Sequence, residues 1–224
     1  MPIFKEKNED FFAVWSAEMA YVLGFFIADG SMTVNPRGSK YLDFHITDGD
    51  LLFKIREVLN SNHKIGEKVL PHQKKVYRLQ IGSKKMFSDL LKLGVKPRKT
   101  GHEIMPDVPN NCFRNFLRGY FDGDGNVWCG YSHKKNHSQP ILTLVTVFTS
   151  KGEYFLRSIK RLLTERLELK GGIGYHSRAY RLNYSVVDSI KLYTFMYQDL
   201  MNDLFLARKK KVFEEFIKIR GPVV

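Results

Sequence analysis

The sequence predicts an α+β protein of two related halves, each ordered α-β-β-α-β-β-α, with helices on one face of an antiparallel sheet. Two observations predict it. Residues 22–30, VLGFFIADG, are nearly repeated by residues 117–125, LRGYFDGDG. The strand-like YRLQ at 77–80 returns as YRLN at 180–183, in the same order within its half.

The first repeated segment reads as a helix opening at Ser16, a favourable N-cap. The second reads as a helix opening at Asn111, and Asp29 and Asp124 stand equally far from those caps. Small residues four apart, Gly24 with Ala28 and Gly119 with Gly123, leave little but backbone on one face of each helix. Gly30 and Gly125 are expected to end the helices in the left-handed conformation.

Residues 41–47 alternate, with Leu42, Phe44 and Ile46 on one side and Tyr41, Asp43, His45 and Thr47 on the other, as in a half-buried strand. Residues 139–149 are the counterpart, although their Leu, Val and Thr leave the outward face undetermined. A helix follows each strand, marked by Leu51, Leu52, Ile55, Val58 and Leu59, and by Phe155, Leu156, Ile159, Leu162 and Leu163. In the next strand pair Tyr77, Leu79, Tyr180 and Leu182 face inward and Arg78, Gln80, Arg181 and Asn183 outward. Helices over 84–93 and 187–200 close the halves, and an amphipathic stretch over 201–219 lies outside the repeat. The turn-rich segment 101–109 is the linker, which divides the chain into residues 1–105 and 106–224.

The 224 residues are 43% hydrophobic, enough for real cores, and carry a net charge of +13 with a pI near 9.6. That charge favours an acidic partner, nucleic acid before anionic membrane. No run approaches the roughly 20 apolar residues of a membrane span, and the N-terminus lacks the order of a signal peptide. Cys112 and Cys129 offer neither a disulfide framework nor zinc spacing. The expectation is an intracellular protein, cytoplasmic or organellar according to its host.

A carboxylate at a helix C-terminus opposes the macrodipole, and this chain places one there twice. Packing the two helices together would set Asp29 beside Asp124. Like charges that close ionise together cheaply only with a cation between them. Carboxylate and carbonyl oxygens suit Mg²⁺, and two metals about 4 Å apart are a recurring solution for phosphodiester cleavage. Asp122-Gly-Asp124-Gly-Asn126 also matches the start of an EF-hand loop, but Val127 and His133 stand at its sixth and twelfth positions, so calcium sensing is discounted.

These paired segments resemble the signature of LAGLIDADG homing endonucleases in the single-chain, two-repeat form, over residues 16–200. The resemblance implies a monomer whose sheets form a saddle on a long double-stranded DNA target. Each half would cut one strand and leave short 3′ overhangs. It assigns metal binding to Asp29 and Asp124 and to the carbonyls of Ala28 and Gly123, with Mg²⁺ as cofactor. Mn²⁺ or Ca²⁺ are substitutes, Ca²⁺ without catalysis. It places a helper lysine near the last strand-to-helix junction, which falls on Lys84 and Lys85; the second half has Val187-Asp188 there. A typical polar residue after the second strand falls on Asp48 and Ser150. Asp122 has Ile27 as its counterpart, so it reads as structural or supporting.

The outward strand and loop positions supply the candidate DNA contacts: Arg37, Lys40, Tyr41, Asp43, His45, Lys75, Arg78, Gln80, Tyr131, His133, Lys134, Lys135, Gln139, His176, Arg178, Arg181 and Asn183. His72 and His137 read as contact or plain exposure, and Lys209-Lys210-Lys211 as a solvated helix face. The alternative function is a catalytically inactive nucleic-acid-binding protein of this fold, an RNA maturase or a DNA-binding regulator. An intein origin is disfavoured because no splicing-type ends are visible. An initiator Met and a short lead-in fit a free-standing, intron-encoded frame.

Overall fold

Ser16 opens α1 (Ala17–Asp29) as its residue type predicts, its hydroxyl accepting the Met19 amide at 3.1 Å. The helix is apolar on every side and buried from Met19 to Ile27, as befits a helix at the centre of a protein. The structure is a computed structural model that describes residues 5–69, 71, 75–97, 101, 103–133, 138–200 and 202–221. Lys134, Lys135, His72 and His137 lie outside the described residues.

From α1 the chain runs directly into β1 (Gly30–Val34), then β2 (Lys40–Ile46), α2 (Gly49–Val58), β3 (Ile65–Val69), β4 (Lys75–Gly82) and α3 (Lys84–Lys92). The second half repeats that order as α4 (Phe113–Asp124), β5 (Gly125–Ser132), β6 (Ile141–Ser150), α5 (Glu153–Leu167), β7 (Gly172–His176), β8 (Ala179–Tyr184) and α6 (Val186–Tyr197). It then adds α7 (Ala207–Arg220). Both sheets are antiparallel with the same strand order, β1-β2-β4-β3 and β5-β6-β8-β7. The α+β plan of two αββαββα halves is therefore present. Leu42, Phe44, Leu79, Leu144, Phe148 and Leu182 turn one face of each sheet into the core.

The two motif helices meet backbone to backbone. A Cβ built on Gly24 would stand 2.1 Å from the Phe116 carbonyl oxygen, and one on Gly119 would stand 2.0 Å from that of Tyr21. A Cβ on Gly123 would lie 2.3 Å from the Cβ of Ala28. The contact is reciprocal, because each helix lends its glycine to the other's main chain.

Two expectations about helix ends are corrected. The N-cap of α4 is Cys112 rather than Asn111, and its side chain makes no capping bond. Gly30 and Gly125 are extended, with φ −83° at both, not left-handed. Their glycines serve space instead: a Cβ would come within 2.2 Å of the Phe26 ring and 2.3 Å of the Phe121 ring. Each ring folds over the exit from its own helix.

Asp122 is buried at this interface and accepts hydrogen bonds from the Tyr21 hydroxyl at 2.8 Å and the Leu206 amide at 2.9 Å. Tyr21 belongs to the first half and Leu206 to the segment leading into α7, so one carboxylate ties three elements together. Arg118, also buried, donates to the carbonyl of Leu204 in the same segment at 3.0 Å and to that of Met196 near the end of α6 at 2.8 Å. Burial raises the Asp122 carboxyl to about 6, outweighing the nearby Lys209 ammonium and the hydrogen bonds that favour its charge.

Gly119→Ala should lower folding stability by about 1–3 kcal/mol, an overpacking cost, whereas Gly172→Ala, with open space around it, should be nearly neutral; denaturant unfolding of both variants distinguishes them. The folded state holds the Asp122 proton more tightly than the unfolded chain, so this group's contribution is full below about pH 4 and is lost as pH rises through about 6. The stability of the wild type relative to Asp122→Asn should accordingly fall between those pH values and stay level above them. Parallel unfolding curves at all pH values would contradict it.

Candidate active site and nucleic-acid interface

Close packing of α1 on α4 carries straight to the helix ends. Ala28 and Gly123 touch across the interface, and the next residue of each chain segment, Asp29 or Asp124, is exposed at the bottom of the pair. The negative fields of both acids reach the same neighbours. The Tyr120 hydroxyl is raised well above its ordinary value by burial first, then by Asp124, with Asp29 contributing. It donates to the Thr149 carbonyl at 2.7 Å. Among the described residues no group of three or more His, Cys, Asp or Glu gathers here. The donors the fold brings together are thus the two carboxylates and the adjoining main-chain oxygens.

Lys209 does not lie on a solvated helix face. It is only 5% exposed, and its ammonium donates to the carbonyls of Phe121 at 2.6 Å, Asp122 at 2.8 Å and Gly125 at 2.6 Å. A cation there satisfies the orphan carbonyls at the end of α4 and offsets its negative pole. Burial lowers the ammonium to about 8, against the opposing pull of Asp122, Asp29 and Asp124. The spacing shows it: Lys209, Phe213 and Phe216 follow one buried stripe of α7 that continues from its N-cap, Leu206. A lysine on such a stripe is not a solvated face. Lys210 and Lys211 do pair with Glu214 and Glu215 on the surface.

Lys84 and Lys85 are not brought to the aspartates. Gly30 faces Phe44 across the sheet, whereas Gly82, just before these lysines, faces Tyr41. That places the junction roughly 10 Å along the strand from the acids, at about 3.3 Å per residue. Lys85 is instead engaged by Asp10 at 2.9 Å and Asp89 at 2.8 Å, which raise it to about 12. Asp48 reaches the other half, accepting from Arg208 at 3.1 Å, while the Ser150 hydroxyl accepts the Gly152 amide at 2.9 Å.

The outward faces of the sheets carry part of the expected DNA surface. In the first half Arg78 and Gln80 lie outward on β4, and His45 is exposed beside them. Asp43 is 1% exposed, so it is corrected from a contact residue to an anchor. It accepts from Thr33 at 3.1 Å, from the Arg78 Nε at 2.8 Å and from Gln80 at 3.1 Å. Tyr41 lies against Gly82, and Arg37 is exposed in the turn between β1 and β2.

Two lysines turn the other way. The ammonium of Lys40 sits over the Phe87 ring at 5.1 Å, on the helix side of the sheet. Lys75 pairs with Glu67 at 3.5 Å on the Tyr77 side of β4. In both cases strand alternation gives the reason, since each is an even number of residues from an inward side chain. The same rule moves Tyr131 to the Val127 side of β5, although it stays exposed. His133 and Gln139 are exposed beyond the ends of β5 and β6, and Arg181 and Asn183 lie outward on β8. His176 is exposed at the end of β7, and Arg178 follows it at φ +64° in a two-residue turn with Ser177 at φ +52°.

Comparisons with known proteins identify the family and the fold. A family model described as a LAGLIDADG-like domain matches residues 16–94, and one described as LAGLIDADG endonuclease matches residues 117–220. No curated protein matches the chain in sequence. Among solved structures, the meganuclease I-SmaMI bound to uncleaveable DNA with a TTCT central four shares the fold at a TM-score of 0.62 and 14% identity, covering 89% of this chain and 88% of that one. The I-LtrWI LAGLIDADG homing endonuclease bound to target DNA aligns at 0.61 and 14% identity, covering 95% and 90%. I-SmaMI bound to an uncleaved DNA target in the presence of calcium ions aligns at 0.61 and 15% identity, covering 92% and 90%. Each half is matched by a model of one family, so the chain belongs to the LAGLIDADG homing endonucleases, with both repeats in a single chain.

Proposed function

We propose that this protein is a monomeric, site-specific endonuclease that cuts both strands of a long double-stranded DNA target with divalent metal, Mg²⁺ in the first instance. The observation that carries the reading is the pair of intact acids, Asp29 and Asp124, at the foot of two helices packed through their glycines. The similar meganucleases bound to DNA, one with calcium ions, support the substrate and the use of a divalent cation.

The donor chemistry fits such a metal. Mg²⁺ is ordinarily held by one or two carboxylates together with substrate phosphate oxygens, and Asp29 and Asp124, with the carbonyls of Ala28 and Gly123, are donors of that kind. A divalent cation bound there would polarise the scissile phosphate and make a hydroxide nucleophile accessible at neutral pH. The protein's own groups do the positioning. The glycine contacts fix the spacing of the carboxylates, and Lys209 holds the end of α4 while offsetting charge around Asp124. The outward sheet faces and the +13 net charge draw the phosphates across the site.

Asp29→Asn and Asp124→Asn should each reduce cleavage on the order of 100-fold or more, the usual scale for loss of an electrostatic element of a site, while leaving DNA binding largely intact. Nicking of supercoiled plasmid carrying a duplex selected from a randomised pool, with Mg²⁺, measures it; full cutting by both variants would overturn the mechanism. A nucleic-acid-binding protein without chemistry would retain the selected duplex and leave it uncut. Lys209→Met should slow cleavage by about 10- to 100-fold and cost about 1–3 kcal/mol of stability through the stranded carbonyls. Unchanged cutting by that variant would remove Lys209 from the site.

A further inference from the structure

The two sheets are in the same register, and that makes their outward faces comparable position by position. Gly30 faces Phe44, which faces Leu79, and Gly125 faces Phe148, which faces Leu182. By that register Asp43 corresponds to Val147, Tyr41 to Val145 and Thr33 to Trp128. Arg78 and Gln80 correspond to Arg181 and Asn183.

The outward chemistry differs at the centre. In the first half Asp43 fixes Arg78 and Gln80 before any ligand arrives. In the second half Val147 stands in the anchor's place, flanked by Val145 and by Trp128, which is 45% exposed. The indole lies along β5 across Gly130, where an added Cβ would come within 2.5 Å of Cζ2. None of the three belongs to the core, since Val127, Leu144 and Phe148 fill the opposite face of the same strands. Half-buried Val145 and Val147 beside the exposed Trp128 therefore form an apolar strip on the outward face, available to a ligand. Its border of Arg181 and Asn183 matches the first half's polar face, and the chain's +13 charge makes the occupant DNA rather than protein.

We propose that the second sheet reads thymines through their 5-methyl groups, using Trp128, Val145 and Val147, whereas the first sheet reads hydrogen-bonding base edges through the fixed pair Arg78 and Gln80. The proposal rests on the nuclease reading and adds a division of specificity to it. Thymine is the base that presents a methyl group in the major groove, and apolar side chains are its natural contacts. The fixed Arg78 suits guanine and the fixed Gln80 adenine by the same geometry.

The test uses the full chain and duplexes selected by it from a randomised DNA pool. Half-sites are assigned by the positions whose preference is lost in Arg78→Ala or in Arg181→Ala. Each thymine is then replaced singly by deoxyuridine, which removes the methyl and keeps every hydrogen-bonding group. Loss of one buried methyl contact should weaken binding about four-fold per contacted thymine in the second half-site, with little change in the first. In a Trp128→Thr, Val145→Tyr, Val147→Asp triple variant, which restores the first-half residue types at all three positions, binding should become insensitive to deoxyuridine. Selected duplexes that bind equally well with deoxyuridine throughout the second half-site would overturn the proposal and leave the nuclease reading standing. Failure to retain any duplex would overturn both.

Discussion

The junction of the two halves and the placing of Asp29 and Asp124 depend on the approach of α1 to α4 at their glycines. Ordinary helix pairs are separated by side chains at 8–10 Å between axes. Here Gly24 and Gly119 press against the opposite main chain, and Ala28 meets Gly123 near the helix ends. Nothing larger fits at these points. Because the helices end one residue beyond Ala28 and Gly123, the same contact that joins the halves also sets the spacing of Asp29 and Asp124. Structural junction and candidate catalytic centre are therefore one feature, and a change that loosens the first must disturb the second.

Around that junction the two halves are unequal in how they are held. The second motif helix, α4, is gripped from outside the repeat: Asp122 accepts from the Leu206 amide, Arg118 donates to the Leu204 carbonyl, and Lys209 closes the helix end. α7 is thus not an appendage. It supplies a buried cation to a region crowded with carboxylates and carbonyls, where an acid at the negative pole of a helix would otherwise be costly. The first half contributes Asp48 to Arg208 across the interface, which fastens the start of α7 to the opposite side.

Much of the fold was legible in the sequence because it is written twice. The repeated helix, the alternating 41–47 strand and the YRLQ–YRLN pair each specify a local structure, and agreement between copies fixed their order. The small residues Gly24, Ala28, Gly119 and Gly123 announce the close approach. What was not legible depends on contacts distant in sequence. Lys209 belongs to a basic run, and only its place on the Leu206–Phe213–Phe216 stripe reveals burial. Asp43 alternates outward as read, but its partners Thr33, Arg78 and Gln80 cover it. Lys40 and Lys75 share a sheet face with Leu42 and Tyr77 by strand parity, which their basic type masks. Gly30 and Gly125 end their helices without a left-handed turn and make room for phenylalanine rings, a need that only the folded packing shows.

The central claim is that Asp29 and Asp124 act on shared cations because the glycine contact holds them together. Calorimetric titration of Ca²⁺ into the complex with a selected duplex, for the wild type, Asp29→Asn, Asp124→Asn and the double variant, tests it most directly. Shared sites predict strong coupling: either single substitution forfeits most of the binding, and the second adds much less than it costs alone. Additive losses, each confined to its own independent site, would contradict the account.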